Sequence, residues 1–153
     1  FTGQVVINSS SECQVSEPFV TLSNGQIRGR VAKTIQNTTY YAFEKIPYAS
    51  PPIGKLRFQP PIPPQNWGVV LDTSHLDAIC YQLSYNKGSE TEDCLFINVF
   101  TPSLPNGESN PSLAVMFFIH GGGFVDESSL MAKPDLFIEN GVILVAINYR
   151  LGP

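Results

Sequence analysis

The sequence predicts an α/β fold built on a sheet whose faces are covered. Two runs in the second half of the chain, Leu113–His120 and Gly141–Tyr149, are almost wholly apolar, as is typical of buried strands. Between them, Pro134–Glu139 has a proline early and is followed by Asn140-Gly141, a pattern that predicts a short helix and its end. An order of strand, glycine loop, short helix and strand indicates the α/β class.

The first half of the chain is predicted to contribute further strands. Phe19–Leu22 and Gln26–Ala32 flank a turn with Asn24-Gly25, and Asn-Gly between strand-like runs is a strong hairpin signal. Thr38–Ile46 is rich in β-branched and aromatic residues, and Leu95–Thr101 alternates weakly before a proline. We therefore expect a hairpin and two more strands ahead of the second half.

Two segments are not expected to form regular structure. Residues 1–18 are polar and rich in serine, which predicts a loose arm. Pro47–Pro64 is dense in proline, which nearly excludes helix and strand. The aromatic side chains of Tyr48, Phe58 and Trp67 could pack against the rest of the chain, so we expect this block to be ordered.

Composition and charge exclude several classes of function. The 153 residues carry a net charge of −4 and only nine lysines and arginines, which are not clustered, so we expect no nucleic-acid partner. The longest apolar runs are far shorter than the roughly 20 residues that cross a bilayer, so we expect no membrane span. Neither a C-x-x-C motif nor zinc-like Cys/His spacing occurs, so we expect no metal and no cofactor.

The cysteines and two sequons favour an oxidising, extracellular compartment. Cys80 and Cys94 enclose a polar segment, and a bridge between them would close a loop of about 15 residues and contribute ~3 kcal/mol. The alternative is a cytosolic protein with three free thiols. If Cys80 and Cys94 are bridged, Cys13 has no partner in this sequence, and we expect its partner in further chain. Asn8 and Asn37 each begin an Asn-x-Ser/Thr sequon and are candidate glycosylation sites.

The segment that carries chemistry is the glycine run after the apolar strand. Gly121-Gly122-Gly123 leaves backbone N–H groups unscreened by side chains, and such donors can stabilise an oxyanion by about 3–4 kcal/mol each. The alternative is a glycine turn that serves close packing. We assign His120 a structural role in fixing this loop, because no nucleophile or carboxylate lies near it at motif spacing, and His75 gives no catalytic signal.

Five blocks of sequence carry a family resemblance, in register from about Pro18 to Pro153. The blocks are Glu92–Pro102, the proline-rich Ile46–Ala49 with Pro51–Gly54 and Arg57-Phe58, then Trp67, His120–Phe124 and Asn148–Gly152. They are similar to the type-B carboxylesterases, the cholinesterase-like branch of the α/β-hydrolases, and their details resemble the insect or other invertebrate esterases.

The resemblance implies an incomplete α/β-hydrolase fold, with a β-hairpin and entry strands followed by mixed central strands and an oxyanion loop. Residues 19–153 would form the N-terminal part of a domain that continues beyond Pro153, rather than a short protein that ends there. The implied activity is that of a serine esterase acting on small apolar esters through an acyl-enzyme.

Particular residues take roles from the same resemblance. Gly122 and Gly123 would supply two oxyanion N–H donors, and Cys80–Cys94 would be the family's first disulfide. Arg57 and Glu92 resemble a buried ion pair that fixes the proline-rich block; if the pair is desolvated, loss of one partner would cost about 3–5 kcal/mol.

The chain also departs from the family pattern. No G-x-S-x-G motif occurs, and neither the triad acid nor the triad histidine has a matching position; the nearest motif, Gly107–Pro111, fails at its last residue. The Cys80–Cys94 loop holds Tyr81 and Tyr85 but no tryptophan, so a choline ester is disfavoured as substrate. The alternative function is that of a catalytically inactive, cholinesterase-like adhesion or binding protein, which would have no need of the triglycine.

Overall fold

The computed structural model describes residues 17–82, 90–105 and 112–152. The predicted arm, residues 1–18, therefore lies outside these ranges apart from its last two residues. In the described ranges the elements are β1 (Phe19–Leu22), β2 (Gly25–Arg28), β3 (Arg30–Lys33), β4 (Thr39–Pro47), β5 (Leu71–Asp72), β6 (Ile79–Cys80), β7 (Glu90–Thr91), β8 (Phe96–Thr101), β9 (Val115–Ile119), α1 (Asp135–Glu139) and β10 (Ile143–Ile147), with 3-10 turns at Gly54–Leu56 and Ser129–Met131.

A five-stranded mixed sheet organises the chain, in the order β3-β4-β8-β10-β9. The first four strands pair antiparallel, whereas β10 and β9 pair parallel, ending with Ile147 opposite Ile119. This sheet confirms the prediction of an α/β fold with mixed central strands. The predicted strands at 38–46, 95–101 and 141–149 are present as β4, β8 and β10, each within two residues at either end.

Both faces of the middle of this sheet are covered, as the apolar strands predict. On one face Ala42 and Leu144 pack with Ile138 of α1, and each of the three is at most 2% exposed. On the other face Phe43 of β4 packs with Ile27 of β2, so the β1–β2 hairpin forms the second cover. Successive residues of β4 thus point to opposite covers, as pleating requires.

The predicted strand Gln26–Ala32 is wrong in one respect, because it is divided at Gly29. β2 pairs with β1 and β5, whereas β3 joins the five-stranded sheet. A Cβ atom at Gly29 would lie 2.4 Å from the carbonyl oxygen of Ala42 and 2.7 Å from the ring of Phe43. The chain changes sheets at the one residue in this run that can approach β4 so closely.

The prediction that Leu113–His120 is buried on both faces is also wrong for the described residues. β9 is the edge strand of the sheet, and Val115, Phe117 and Ile119 are each more than half exposed. In the part of the chain that the structure describes, only one of its edges is paired, to β10, and no element covers these side chains. The apolar run is typical of a buried strand, but within the described ranges Phe118 is the residue of β9 that packs against the core.

The proline-rich block is ordered by contacts with distant backbone, as expected. The amide of Ser50 donates to the carbonyl of Ile62 at 2.9 Å, which closes the block on itself. Trp67 donates through its indole N–H to the carbonyl of Gln26 at 2.9 Å and through its amide to Asn24 at 2.9 Å. The block is thereby attached to the β1–β2 hairpin.

We predict that Gly29→Ala lowers the free energy of unfolding by about 1–3 kcal/mol, because the new methyl group must displace backbone of β4. Chemical denaturation measures the change. Gly68→Ala is the matched control, since a Cβ there meets no atom within 4 Å and should alter stability far less. Equal effects of the two substitutions would contradict the close approach at Gly29.

Candidate functional site

The glycine loop, the segment between β9 and the 3-10 turn at Ser129–Met131, begins where the parallel ladder between β9 and β10 ends. His120 follows β9 and is 3% exposed, and its Nδ1 lies 2.9 Å from the carbonyl oxygen of Gly121. The imidazole stacks on the ring of Tyr149, with centroids 4.3 Å apart and planes at 15°. The Tyr149 hydroxyl donates to the His120 carbonyl at 2.6 Å. His120 is therefore packed beneath the loop, away from solvent.

The loop itself turns through three consecutive residues with positive φ. These values are 103° at Gly122, 61° at Gly123 and 62° at Phe124. The amides of Val125 and Asp126 both donate to the Gly122 carbonyl, at 3.0 and 3.2 Å. Glycine is required at 122, because a Cβ atom there would lie 2.2 Å from the backbone oxygen of Asp126.

This turn pairs the Gly122 carbonyl with the amides of Val125 and Asp126 and leaves two other amides without an acceptor in the described part of the chain. Among the described residues, no hydrogen bond uses the N–H of Gly122 or of Gly123. Gly123 is exposed and Gly122 half-buried, so both donors are accessible. Two adjacent, unpaired backbone N–H groups on a fixed turn can bind an oxygen that carries negative charge.

A buried polar network fixes the far end of the loop. Asn148 Oδ1 accepts from both the amide and the hydroxyl of Ser129, at 3.0 and 2.8 Å, and the Asn98 side-chain amide donates to the same hydroxyl at 2.8 Å. All three residues are at most 3% exposed. Asn148 also donates to the carbonyl of Ala78, and Asn98 accepts from the amide of Lys45, where β4 bulges.

The sequence patterns described above do not predict this network. The signal that could have found it is the pair of amide side chains, Asn98 and Asn148, within or at the end of strongly apolar strands. Buried amides of this kind need hydrogen-bond partners and therefore mark places where separate segments meet.

The proline-rich block contacts the same end of β10. The hydroxyl of Tyr48 donates to the carbonyl of Asn148 at 2.8 Å, and the Arg150 guanidinium donates to the carbonyl of Gln59 at 2.9 Å. Partial burial raises the pKa of Tyr48, although the nearby charge of Arg150 opposes the shift. The amide of Gly152 then donates to the Phe124 carbonyl at 2.6 Å, which joins this segment to the glycine loop.

The disulfide between Cys80 and Cys94 is present, with 4.9 Å between the Cα atoms. Both cysteines are buried and pack with Ala49 and Leu95. The half-buried Leu151, which lies between Arg150 and Gly152, packs against the same cluster. Residues 83–89, which lie between them and include Tyr85, are outside the described ranges.

A cavity of about 310 Å³ lies between the disulfide and the end of β10. Its lining includes Tyr81, Arg57, Glu92, Arg150 and Gly152. Arg57 Nε is 2.6 Å from Glu92 Oε1, but the two side chains are 51% and 43% exposed. The expectation of a buried pair is wrong, because the cavity opens this pair to solvent.

The remaining candidate residues lie away from the loop. Asn37 is exposed in the β3–β4 turn with φ of 69°, and its side-chain oxygen accepts from Lys33. His75 is exposed. Asn8, Cys13 and Gly107–Pro111 fall outside the described residues. Within those residues, no group of acidic, histidine or cysteine side chains could hold a metal ion, and no helix has the length and apolarity to cross a membrane.

Comparison with known families gives one match that spans most of the chain. The model of the carboxylesterase family matches residues 16–153. That range contains β1–β10, the disulfide and the glycine loop.

Relatives and a solved structure agree with this match. The chain is 42% identical over 142 residues to venom carboxylesterase-6 of Apis mellifera, covering 89% of this chain and 25% of the relative. It is 38% identical over 143 residues to juvenile hormone esterase of Tribolium castaneum, covering 90% and 24%. A crystal structure of juvenile hormone esterase from Manduca sexta, with OTFP covalently attached, has a TM-score of 0.80 at 33% identity, covering 90% of this chain and 27% of that chain. The chain thus spans about a quarter of the length of these relatives.

The exposure of the Arg57–Glu92 pair leads to a prediction about stability. Glu92→Gln should lower the free energy of unfolding by less than about 1 kcal/mol, because solvent screens a half-exposed pair. Ser129→Ala should cost about 1–3 kcal/mol, because it removes a partner of the buried Asn98 amide. Denaturant titration of both variants compares the two. A larger loss for Glu92→Gln than for Ser129→Ala would contradict the assignment.

Proposed function

The chain belongs to the carboxylesterase family, and from that premise we propose that the complete protein hydrolyses carboxylic esters, with Gly122 and Gly123 as oxyanion donors. The observation that carries the proposal is the pair of N–H groups that have no acceptor among the described residues, on a turn that is fixed at both ends. Such a pair has no evident use in a protein that only binds partners.

The reaction would proceed through a serine nucleophile and two tetrahedral intermediates. The serine oxygen adds to the ester carbonyl carbon while a histidine accepts the hydroxyl proton, and the carbonyl oxygen becomes an oxyanion. Collapse breaks the bond to the alcohol oxygen, which takes the proton from the histidine, and water then releases the acid from the acyl-enzyme. No G-x-S-x-G motif occurs in these 153 residues, so this chain would supply the oxyanion site but not the nucleophile.

The contribution of Gly122 and Gly123 is electrostatic. Backbone donors held in place by the surrounding turn do not have to reorganise when negative charge develops on the substrate oxygen. Their strength comes from a position about 3 Å from the oxyanion rather than from the ground-state carbonyl oxygen. The Gly122 carbonyl accepts from the amides of Val125 and Asp126, and these two bonds hold the turn that carries the donors.

We also propose that the substrates are small apolar esters. The side chains next to the donors are apolar and accessible: Phe124 is 73% and Val125 49% exposed. The described part of the Cys80–Cys94 loop adds the 61%-exposed Tyr81 but no tryptophan that could bind a choline cation. The insect esterases among the relatives support an invertebrate-type substrate range for this chain.

A secreted, N-glycosylated protein is the proposal that fits the covalent features. The Cys80–Cys94 disulfide persists in an oxidising compartment. Asn37 begins a sequon, is exposed and occupies a turn, which makes it the first proposed glycosylation site. Asn8 is the second proposed site, on sequence alone.

The proposal that residues 1–153 lack the nucleophile can be tested directly. Residues 1–153 expressed alone should hydrolyse an activated aryl ester no faster than buffer, whereas the protein expressed from its complete coding sequence should show turnover that an organophosphate abolishes. Organophosphate-sensitive turnover by residues 1–153 would contradict the absence of a nucleophile. A complete protein without turnover would favour the inactive adhesion or binding alternative.

The oxyanion role predicts a graded response to substitution in the complete protein. Gly122→Ala should lower kcat by about 10²–10³-fold, because the methyl group displaces Asp126 and with it the donor. Gly123→Ala should have a smaller effect, about tenfold or less, because its Cβ meets only Val125 Cγ2 at 4.0 Å and the main cost is the positive φ. Steady-state kinetics measures both, and equal activity of Gly122→Ala and the wild type would contradict the role.

A further inference from the structure

Tyr149 makes three contacts with the glycine loop that its place in the sequence alone does not explain. Its hydroxyl donates to the His120 carbonyl at 2.6 Å, and its ring stacks on the His120 imidazole. Its ring also makes an edge-to-face contact with the ring of Phe124, with centroids 6.2 Å apart and planes at 65°. His120 precedes the three glycines and Phe124 follows them. One side chain therefore contacts both ends of the segment that carries the two donors.

The hydroxyl contact takes the place of a hydrogen bond of the sheet. Parallel pairing between β9 and β10 ends at Ile119 opposite Ile147. The next carbonyl on the β9 side, that of His120, accepts a hydrogen bond from the Tyr149 hydroxyl instead of from a ladder amide. The chain can thus leave the sheet at His120 without leaving its carbonyl unpaired.

This contact sets the orientation of the peptide that leads into the triglycine. The plane of a peptide is rigid, so a fixed His120 carbonyl also fixes the direction of the Gly121 N–H. Glycine residues restrict their own backbone little, and the orientation of the following amides must be imposed from outside. Tyr149 imposes it at the start of the loop, and the bond from the Gly152 amide to the Phe124 carbonyl imposes it at the end.

We propose that Tyr149 is a positioning residue, which orients the N–H groups of Gly122 and Gly123 through its hydroxyl bond to His120 and its ring contacts with His120 and Phe124. This inference rests on the proposed oxyanion role of the two glycines. Tyr149 does not touch the substrate in this account; it acts through the loop.

The test is Tyr149→Phe in the complete protein, which removes the hydroxyl and keeps the ring. We expect kcat to fall by about tenfold with KM nearly unchanged, because an oxyanion donor acts mainly in the transition state. The affinity of a trifluoromethyl ketone, whose serine adduct carries an oxyanion, should fall by a similar factor. A residue with a purely structural role would lower thermal stability without this matched loss.

Tyr48→Phe is the matched control. It removes the same kind of bond, from a tyrosine hydroxyl to a backbone carbonyl, at the adjacent residue Asn148. It should lower the thermal midpoint to a similar extent while leaving kcat and the ketone affinity within about twofold of the wild type. Equal kinetic loss in both variants, or no kinetic loss in Tyr149→Phe, would overturn the proposal.

A measurement that does not need turnover separates this inference from the proposed function. The amides of Val125 and Asp126 donate to the Gly122 carbonyl, so their hydrogen exchange reports the order of the turn. Exchange at these two amides should be at least severalfold faster in Tyr149→Phe and unchanged in Tyr48→Phe. If the wild type proves inactive, the oxyanion role fails, but hydrogen exchange still tests whether Tyr149 orders the loop. Unchanged exchange in Tyr149→Phe would overturn the positioning role.

Discussion

Contacts between the end of β10 and the glycine loop are the constraint on which the candidate site depends. Asn148 binds Ser129 at the far end of the loop, Tyr149 binds His120 at its start, and Gly152 binds Phe124 in between. Glycine loops are flexible in isolation, since three adjacent residues lack the side chains that limit φ and ψ. The strand end supplies the order that the loop's own residues cannot, and within the described ranges it leaves the N–H groups of Gly122 and Gly123 unpaired.

The rest of the described chain holds that strand end in place. β10 lies between β8 and β9, with Leu144 and Ala146 fully buried. Asn98 of β8 joins the Ser129–Asn148 network, so the same side chain links the sheet to the loop. Tyr48 of the proline-rich block bonds to the Asn148 carbonyl and not to the glycine loop, and the disulfide packs with Leu151. Elements far apart in sequence therefore contact the five consecutive residues 148–152.

Much of this could be predicted from local sequence signals, and the exceptions share one physical cause. Hairpin turns, apolar strands and the triglycine are encoded by neighbouring residues, and the family resemblance added the register of the blocks. The break at Gly29, the exposed edge of β9 and the half-exposed Arg57–Glu92 pair depend on which distant groups approach them. The same is true of Asn98 and Tyr149, whose partners lie 31 and 29 residues away.

The central claim is that Gly122 and Gly123 present free N–H groups to an oxyanion while Tyr149 holds His120. A crystal structure of the complete protein with a trifluoromethyl ketone bound tests it most directly. We predict that the adduct oxygen lies about 2.7–3.1 Å from both glycine nitrogens, with the bond from Tyr149 to the His120 carbonyl retained. An adduct oxygen beyond hydrogen-bond distance of both glycines, or glycine N–H groups paired with protein acceptors, would contradict the account.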